Sequence, residues 1–592
     1  MCGIFGMIGD NAVGNTRRAL KYLEYRGYDS AGIAVKDKNE IKLIKRAGRV
    51  EQLDSCISDS FTGQIAIGHT RWATHGKVCA ENAHPFYSED RKFAVVHNGI
   101  IENYLDIKRR LMSYGAKFTS ETDSETAAYL LQSYYSGNVL DAVKNVAKEL
   151  TGSFAIVIAN AYDDSIYAIK NKSPLVVGIS DDGTYLCSDT RCLSRWADKV
   201  ALTPDNTIAV ANRNGVVFYD FDGNPVSVKF FTPDKAEQID EADGDFMLKE
   251  IMEIPQKVAQ AKKNYFESGG INLPAKTVHR IKRIYLIGCG TAYNSGLQAA
   301  AVSREMLDVD VVPVIASEFI YDRYPVDSST LAFFISQSGE TADTIRAAEK
   351  VSKQGGFTYA VTNTDASSLC FVCDRVKNIC AGGEFAVAST KAYNCQLVTL
   401  TLLLTDLAYL KGSIDETTRN KIADSLDALP NVIEKILDNS YEIVRLADEV
   451  KDCSAVFYIG RASDYPTACE GSLKLKEISY IHSEAYPAGE LKHGTLALME
   501  KGVFVVALAT DSALLDKTAS SVSEVVARGA EAIVVTPYGF KGANVVKIPV
   551  VNRMLYGIIS VVPLQLLAYY VAKRLGRDVD KPRNLAKSVT VE

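Results

Sequence analysis

An α+β domain followed by two copies of one parallel-sheet α/β domain is the architecture this sequence predicts. Three observations carry it. Residues 1 to about 225 hold short runs that alternate apolar and polar, the period of antiparallel strands with one face on a core. From about 275 the runs become continuously apolar and alternate with long helical stretches, as in a parallel sheet covered on both faces. That second texture then recurs. Ile284-Tyr-Leu-Ile-Gly288 with Tyr293 is echoed by Val456-Phe-Tyr-Ile-Gly460 with Tyr465, and Val361-Thr362 by Val535-Thr536. An offset of about 172 residues is too long for a solenoid and marks a duplicated domain.

The elements follow in order. In the first domain (2–220) strand patterns at 28–35, 64–70, 93–97, 153–160 and 207–219 are interrupted by helical patterns at 16–25, 102–113 and 123–150. Residues 221–245 are acidic and poorly periodic, and 221–274 reads as a linker with a connecting helix. The first α/β copy covers 275–413, with apolar strands at 283–287, 331–335 and 358–362. Connecting helices occupy 414–446, the second copy 447–582, and residues 583–592 form a polar tail.

Bulk properties exclude several classes. The 592 residues are 47% hydrophobic and 23% charged, with 66 basic against 72 acidic side chains and a net charge of −6. No Lys/Arg-rich run offers a phosphate-backbone footprint, so nucleic acid is not expected as a partner. The most apolar stretches, 397–410 and 556–572, are short or broken by Asp406, Pro563 and Gln565, so no membrane span is expected. The N-terminus has no basic region leading into an apolar one, which points to the cytoplasm. The twelve Cys are scattered and read as reduced, mostly buried thiols. Cys370-x-x-Cys373 with Cys380 offers three thiols and no fourth ligand at zinc spacing. Four of the seven His lie between 69 and 97 without a metalloprotease spacing. No metal and no cofactor is expected.

Chemistry centres first on Cys2. Loss of Met1 would leave a thiol and a free α-amine on one residue, a nucleophile beside a base of pKa ~7.7–8.0. The bland reading is a small second residue. In His69-Thr-Arg71-Trp72-Ala-Thr-His75-Gly, an Arg beside an aromatic wall at a strand end suits a carboxylate, or forms an ordinary solvated loop. Asn98-Gly99 reads first as a tight hairpin turn, and alternatively as donors to an oxyanion. Thr122-Asp123-Ser124-Glu125 reads as a capping box, and Asp123 alternatively as a seat for an ammonium.

In the α/β part, Ser336-Gln337-Ser338-Gly339-Glu340-Thr341 joins a strand to a helix. So many hydroxyls exceed what one cap needs and favour an anion cradle. Gly288-Cys-Gly290-Thr291-Ala-Tyr293 lacks the third Gly of a dinucleotide fingerprint, and no Walker loop is present. A small phosphorylated ligand therefore fits better than a nucleotide. Glu470, Lys474 and Glu477 fall on one helical stripe, which by spacing alone predicts an exposed salt-bridged face. Gly489-Glu-Leu-Lys-His493-Gly494 is a polar turn with a lone His, and Lys587 alone is a terminal lysine.

Together, and in this order, these segments resemble the isomerising glutamine:fructose-6-phosphate aminotransferases, the glucosamine-6-phosphate synthase family. The similarity runs end to end through Cys2-Gly-Ile, the segments 23–32, 69–76, 97–103, 336–341, 474–482 and 489–494, and the tail Pro582-Arg-Asn-Leu-Ala-Lys-Ser-Val-Thr-Val-Glu592. The resemblance implies an N-terminal-nucleophile glutaminase αββα sandwich followed by two doubly wound sugar-isomerase (SIS) domains. It implies that Cys2 attacks the glutamine amide, that Asn98 and Gly99 form the oxyanion hole, and that Arg71, Trp72, Thr74, His75 and Asp123 bind glutamine, Trp72 also gating an ammonia tunnel. It implies a sugar-phosphate site of Thr291, Ser336, Gln337, Ser338, Thr341, Glu384, Val387, Ser389 and Lys474. His493 would open the sugar ring, Lys587 would form a Schiff base, and Glu477 would move the proton between the first two carbons. The substrates implied are L-glutamine and D-fructose 6-phosphate, and the assembly a homodimer. Two departures stand out: Ala292 where relatives often carry Ser, and Thr495 where Pro is frequent after His-Gly.

Rival readings are weaker. A phosphoribosyl amidotransferase has no use for the duplicated half. A phosphosugar-sensing regulator does not need Cys2, Glu477 and Lys587 together, and an enzyme that only cleaves sugar–amine adducts would lack Cys2.

Overall fold

Strand Gly3–Gly9 (GIFGMIG) shows why the first domain is layered. Its alternate residues serve two cores: Ile4 and Ile8 pack between the sheets, whereas Phe5 and Met7 pack outward beneath helix Ala12–Leu23. Both faces are buried, so the strand is apolar throughout rather than half polar. The computed structural model describes residues 2–72, 76–233 and 245–590. They fall into two units, Met1–Ile239 with Ser588–Glu592, and Asp240–Lys587.

In the first unit two seven-stranded antiparallel sheets stack face to face. Gly3–Gly9 lies between Ile65–Arg71 and Gly183–Cys187 in one sheet. Phe93–Ile101 lies between Phe86–Tyr87 and Gly152–Asn160 in the other. Helices Glu125–Tyr134 and Val139–Glu149 cover the outer face of the second sheet through Leu130, Leu131, Val143 and Val146. This is the expected αββα sandwich.

Three local expectations give way here. Asn98-Gly99 does not turn: both residues sit inside strand Phe93–Ile101, in register with Ala155 and Phe154. The capping box does not form either. Ser124 precedes the helix without a side-chain cap, and the Glu125 carboxylate instead accepts from Thr119 N (3.0 Å) and Ser120 N (2.8 Å). The 207–219 run is a hairpin, Thr207–Asn212 against Gly215–Asp220. The chain past 220 still belongs to this unit, because Phe231 and Val200 exchange two backbone hydrogen bonds of 2.9 Å.

In the second unit each copy is a five-stranded parallel sheet. The first runs Asp310–Ile315, Arg283–Gly288, Thr330–Ser336, Phe357–Thr362, Arg375–Asn378 across the sheet; the second has the same order, with Ala455–Gly460 and Val503–Leu508 at its centre. In such a doubly wound sheet the crevice lies where the winding reverses, at the carboxyl ends of the first and third strands. Here those strands are Arg283–Gly288 and Thr330–Ser336. One hydrophobic core runs through both copies, built on helices Lys391–Leu410 and Tyr556–Arg574. The segment Arg553–Arg574 is apolar and long enough to cross a membrane by composition, but 89% of its apolar window is buried inside the protein, as befits a core helix.

Candidate active site

The first unit gathers the amide-cleaving candidates around the end of its first strand. Cys2 Sγ accepts a hydrogen bond from Trp72 N at 3.3 Å. Burial pushes the Cys2 thiol up, against the lowering pull of that N–H and of the Arg71 and Arg26 charges. The thiol is thus held protonated and needs a base to become a nucleophile. Asn98 Nδ2 donates to the Cys2 carbonyl at 3.1 Å, which places a side-chain amide directly over the nucleophile's own residue.

The orientation of that amide is itself fixed. His69 Nε2 lies 3.1 Å from Asn98 Oδ1 and 3.0 Å from the His97 carbonyl oxygen. Both neighbours are acceptors, so the hydrogen sits on Nε2. Burial drives the His69 pKa down to about 3, so the ring is neutral. His84 stacks on His69 at 4.0 Å and accepts from His97 N through Nδ1 at 3.1 Å. Three of the four clustered His therefore come together in one hydrogen-bonded group, in which burial holds His69 and His84 neutral, and His75 lies outside the described residues, as does Thr74. Gly99 has φ 118°, and a Cβ there would stand 1.9 Å from the Ser153 carbonyl oxygen, so only glycine fits. Asp123 is buried, accepting from Ile101 N at 2.8 Å and from Ser124 Oγ at 3.1 Å. Arg71 is buried at its strand end, and Trp72 meets Tyr28 edge-on at 5.5 Å.

In the second unit the loops at the first copy's switch point carry the other candidates. Ser336 ends its strand, and its Oγ lies 3.1 Å from Thr341 Oγ1 and accepts from Gly339 N at 3.1 Å. Gly339 has φ 66°, and a Cβ would strike Ser367 Oγ at 1.9 Å. Both polar atoms of the Gln337 side chain are buried without a protein partner, leaving a donor and an acceptor for a ligand. Thr291 opens the helix after the neighbouring strand. The second copy has the same crevice, but its own chain fills it: the buried Asp464 carboxylate accepts from Thr510 N at 2.9 Å. Burial pushes the Asp464 carboxyl up to about 6.

The Glu470–Lys474–Glu477 stripe is not an exposed face. Glu470 and Lys474 are 0% exposed. Lys474 Nζ donates to Thr291 Oγ1 at 2.9 Å and pairs with Glu477 at 2.7 Å and Glu470 at 3.4 Å. Glu470 also accepts from Asn294 Nδ2 at 2.8 Å, so the helix of the second copy is bonded to helix Thr291–Ser303 of the first. Burial lowers the Lys474 pKa, but the Glu470 and Glu477 charges outweigh it and hold the ammonium charged. Lys587 reaches back from the tail to Glu384 at 2.5 Å, its side chain 2% exposed. Glu384 also accepts from Ser389 Oγ (2.9 Å), Thr390 N (2.9 Å) and Ala392 N (3.0 Å). Burial raises the Glu384 carboxyl, but Lys587 and these donors win and hold it at about 2. Val387 N donates to the Asp580 carbonyl at 2.9 Å. His493 stands exposed at the end of the turn Glu490–His493, and no described hydrogen bond joins it to these groups.

Residues 278–406 and 449–573 match the SIS domain model, and residues 69–195 the glutamine amidotransferase domain model. The glutamine–fructose-6-phosphate aminotransferase (isomerising) of Caldanaerobacter subterraneus subsp. tengcongensis is 43% identical, over 100% of both chains. The chain belongs to the isomerising glutamine–fructose-6-phosphate aminotransferase family. A Thermus thermophilus aminotransferase of the same name is 40% identical, again over 100% of both chains. The C-terminal domain of the Francisella tularensis glucosamine-fructose-6-phosphate aminotransferase superposes with TM-score 0.56 at 37% identity, covering 58% of this chain and 100% of that one.

Two buried groups of this aminotransferase lay beyond sequence reasoning. Glu250 and Asn294 carry no motif; each is an ordinary helical residue whose partner, Phe385 or Glu470, is over 100 residues away. His69 lies in the segment 69–76, but nothing in its spacing points to Asn98.

Proposed function

We propose that this chain transfers the amide nitrogen of L-glutamine to D-fructose 6-phosphate and isomerises the product to D-glucosamine 6-phosphate, releasing L-glutamate. The observation that carries this reading is Lys587, an amine drawn out of water onto Glu384, in the same unit as the Thr291–Lys474–Glu477 cluster and the Ser336–Thr341 cradle.

In the first half-reaction the α-amine of Cys2, freed by loss of Met1, takes the thiol proton and Sγ attacks the glutamine Cδ. The oxyanion faces Asn98 Nδ2 and the Gly99 N–H; losing one such donor typically costs ~10²–10³ in rate. Ammonia leaves with the proton, and water then cleaves the thioester to glutamate. Arg71 pairs with the substrate α-carboxylate and Asp123 with its α-ammonium; Thr74 and His75 complete the binding segment, and Trp72 gates ammonia passage.

In the second half-reaction Ser336, Gln337, Ser338 and Thr341 hold the phosphate, with Thr291, Val387, Ser389 and Lys474 lining the sugar. His493 opens the ring. Lys587 Nζ adds to the C2 carbonyl and water leaves; ammonia then displaces the lysine. Glu477 takes a proton from C1 and returns it at C2, while the O1 proton passes to the imine nitrogen, leaving an aldehyde at C1 and an amine at C2. No cofactor and no metal enters any step. The exposed position of His493 supports a homodimer in which it serves a second copy. A cytoplasmic location accords with the reduced thiols.

The test incubates the protein with amide-¹⁵N glutamine and fructose 6-phosphate. Label in hexosamine phosphate by mass spectrometry is expected; label found only as free ammonia would sink the proposal.

A further inference from the structure

We infer that Asp580 and Tyr480 are positioning residues, two fixed anchors that hold the C-terminal tail so that Lys587 meets Glu384. This deepens the reading of Lys587 as the imine-forming amine and rests on it.

The first anchor lies seven positions before the lysine. The Asp580 carboxylate accepts from Phe246 N at 2.9 Å and from Met247 N at 2.8 Å. Those are the leading N–H groups of helix Phe246–Met252, which have no partner within the helix. Asp245, which precedes that helix, makes no capping bond; its carboxylate accepts from Tyr569 Oη (2.7 Å) and pairs with Lys573 (2.9 Å). Asp580 therefore caps the helix from a distance of more than 300 residues in sequence. Its own carbonyl takes the Val387 N–H at 2.9 Å. The same short helix carries Glu250, which accepts from Phe385 N and Ala386 N. One residue at the base of the tail is thus tied twice, directly and through that helix, to the segment 385–387 that follows Glu384.

The second anchor is Tyr480, the first residue past helix Asp464–Ser479, in the left-handed region at φ 66°. Its hydroxyl accepts from Arg583 N at 2.8 Å. The guanidinium groups of Arg583 and Arg577 lie over its ring at 4.3 and 5.2 Å. The helix that carries Lys474 and Glu477 thereby ends on a ring that grips the tail four residues before Lys587.

The spacing gives these contacts a use. Four extended residues reach no more than ~14 Å, so an anchor at Arg583 confines the amine to the neighbourhood of Glu384. Without Tyr480 the remaining anchor would be Asp580, seven residues before Lys587 rather than four. A longer free segment lowers the effective concentration of its end at a fixed point.

The test compares the wild-type chain with Asp580→Ala, Asp580→Asn, Tyr480→Ala and Tyr480→Phe. Three readouts are used: borohydride trapping of fructose 6-phosphate on the 584–592 peptide, tryptic cleavage after Arg583, and glutamine hydrolysis. The alanine variants are expected to trap about 10–100-fold more slowly, the cost of misplacing a reacting group by about 1 Å. They should also lose the tail to trypsin faster, with glutamine hydrolysis at the wild-type rate; loss of the Asp580 cap should in addition lower the thermal unfolding midpoint. Asp580→Asn, which keeps one acceptor, and Tyr480→Phe, which keeps the ring, should fall between. Should an alanine variant not fold, these two conservative variants decide. Wild-type trapping and wild-type tryptic resistance in the variants that fold would overturn the anchors. Absence of any adduct on the wild-type 584–592 peptide would instead overturn the role of Lys587.

Discussion

His69 shows how a single neutral side chain can set the direction of an amide dipole. Its Nε2 hydrogen faces Asn98 Oδ1, so the amide nitrogen faces Cys2. His69→Phe is expected to slow glutamine hydrolysis by about 10–100-fold, with the KM for fructose 6-phosphate unchanged, since one oxyanion donor loses its orientation. Steady-state assays of each half-reaction check this. Glu250 makes the opposite case, a carboxyl kept neutral. Burial and the Glu384 charge raise it to about 8, far above its usual 4.5. Between those two values the folded chain binds the extra proton, so the group's contribution is complete below pH 4.5 and is lost as pH rises through 8. Glu250→Gln should therefore keep sugar turnover within about threefold and flatten this part of the stability profile. Glu250→Ala should lower stability by about 1–3 kcal/mol through two stranded N–H groups. Urea midpoints from about pH 5 to 9 measure both. At this scale the sequence, through long segments, drew attention to Cys2 and Lys587, which lie against Trp72 N and Glu384 in the structure. It misled at Asn98-Gly99, because the dipeptide's strong turn preference is local and the sandwich overrides it.

Secondary-structure elements carry the costs of these arrangements. Strands Ile65–Arg71 and Phe93–Ile101 hold His69 and His97, and His84 packs between them. His69 is depressed to about 3 by burial, against 6.5 when free. The unfolded chain takes up the proton first, so stability present above pH 6.5 is lost as pH falls toward 3, by up to about 1.4 kcal/mol per pH unit per histidine. Amide exchange in these two strands, corrected for its intrinsic rate, should accelerate from about pH 6.5 to 4 more than in Arg283–Gly288. Helix Asp464–Ser479 buries an ammonium and a carboxylate side by side. Lys474→Met should cost ~3–5 kcal/mol, because the buried Glu470 carboxyl loses its only described cationic partner, and adding Glu470→Gln should recover most of it. Neither variant should make hexosamine phosphate. The stripe itself was readable from its spacing. Its burial was not, since that depends on Thr291 and Asn294 in the other copy.

The duplicated half was the most legible feature of the whole molecule, because periodicity and repeated strand motifs survive when individual contacts cannot be foreseen. What the repeat hid is that its two crevices are unequal. The first ends in hydroxyls and an unpartnered Gln337; the second is stoppered by Asp464 on Thr510. Titration calorimetry with fructose 6-phosphate should give one site per chain. Ser338→Asp, which puts a carboxylate into the open crevice, should weaken that binding by about 100-fold, since like charges in a partly buried site cost several kcal/mol.

That stopper has a consequence for how the halves depend on each other. The second copy, whose crevice carries the Asp464–Thr510 pair, bonds its helix to the first copy through Lys474 and Glu470. Each half has become a fragment of one machine. A chain severed in the helices between 414 and 446 should yield two inert pieces whose turnover returns only at concentrations that let them re-associate.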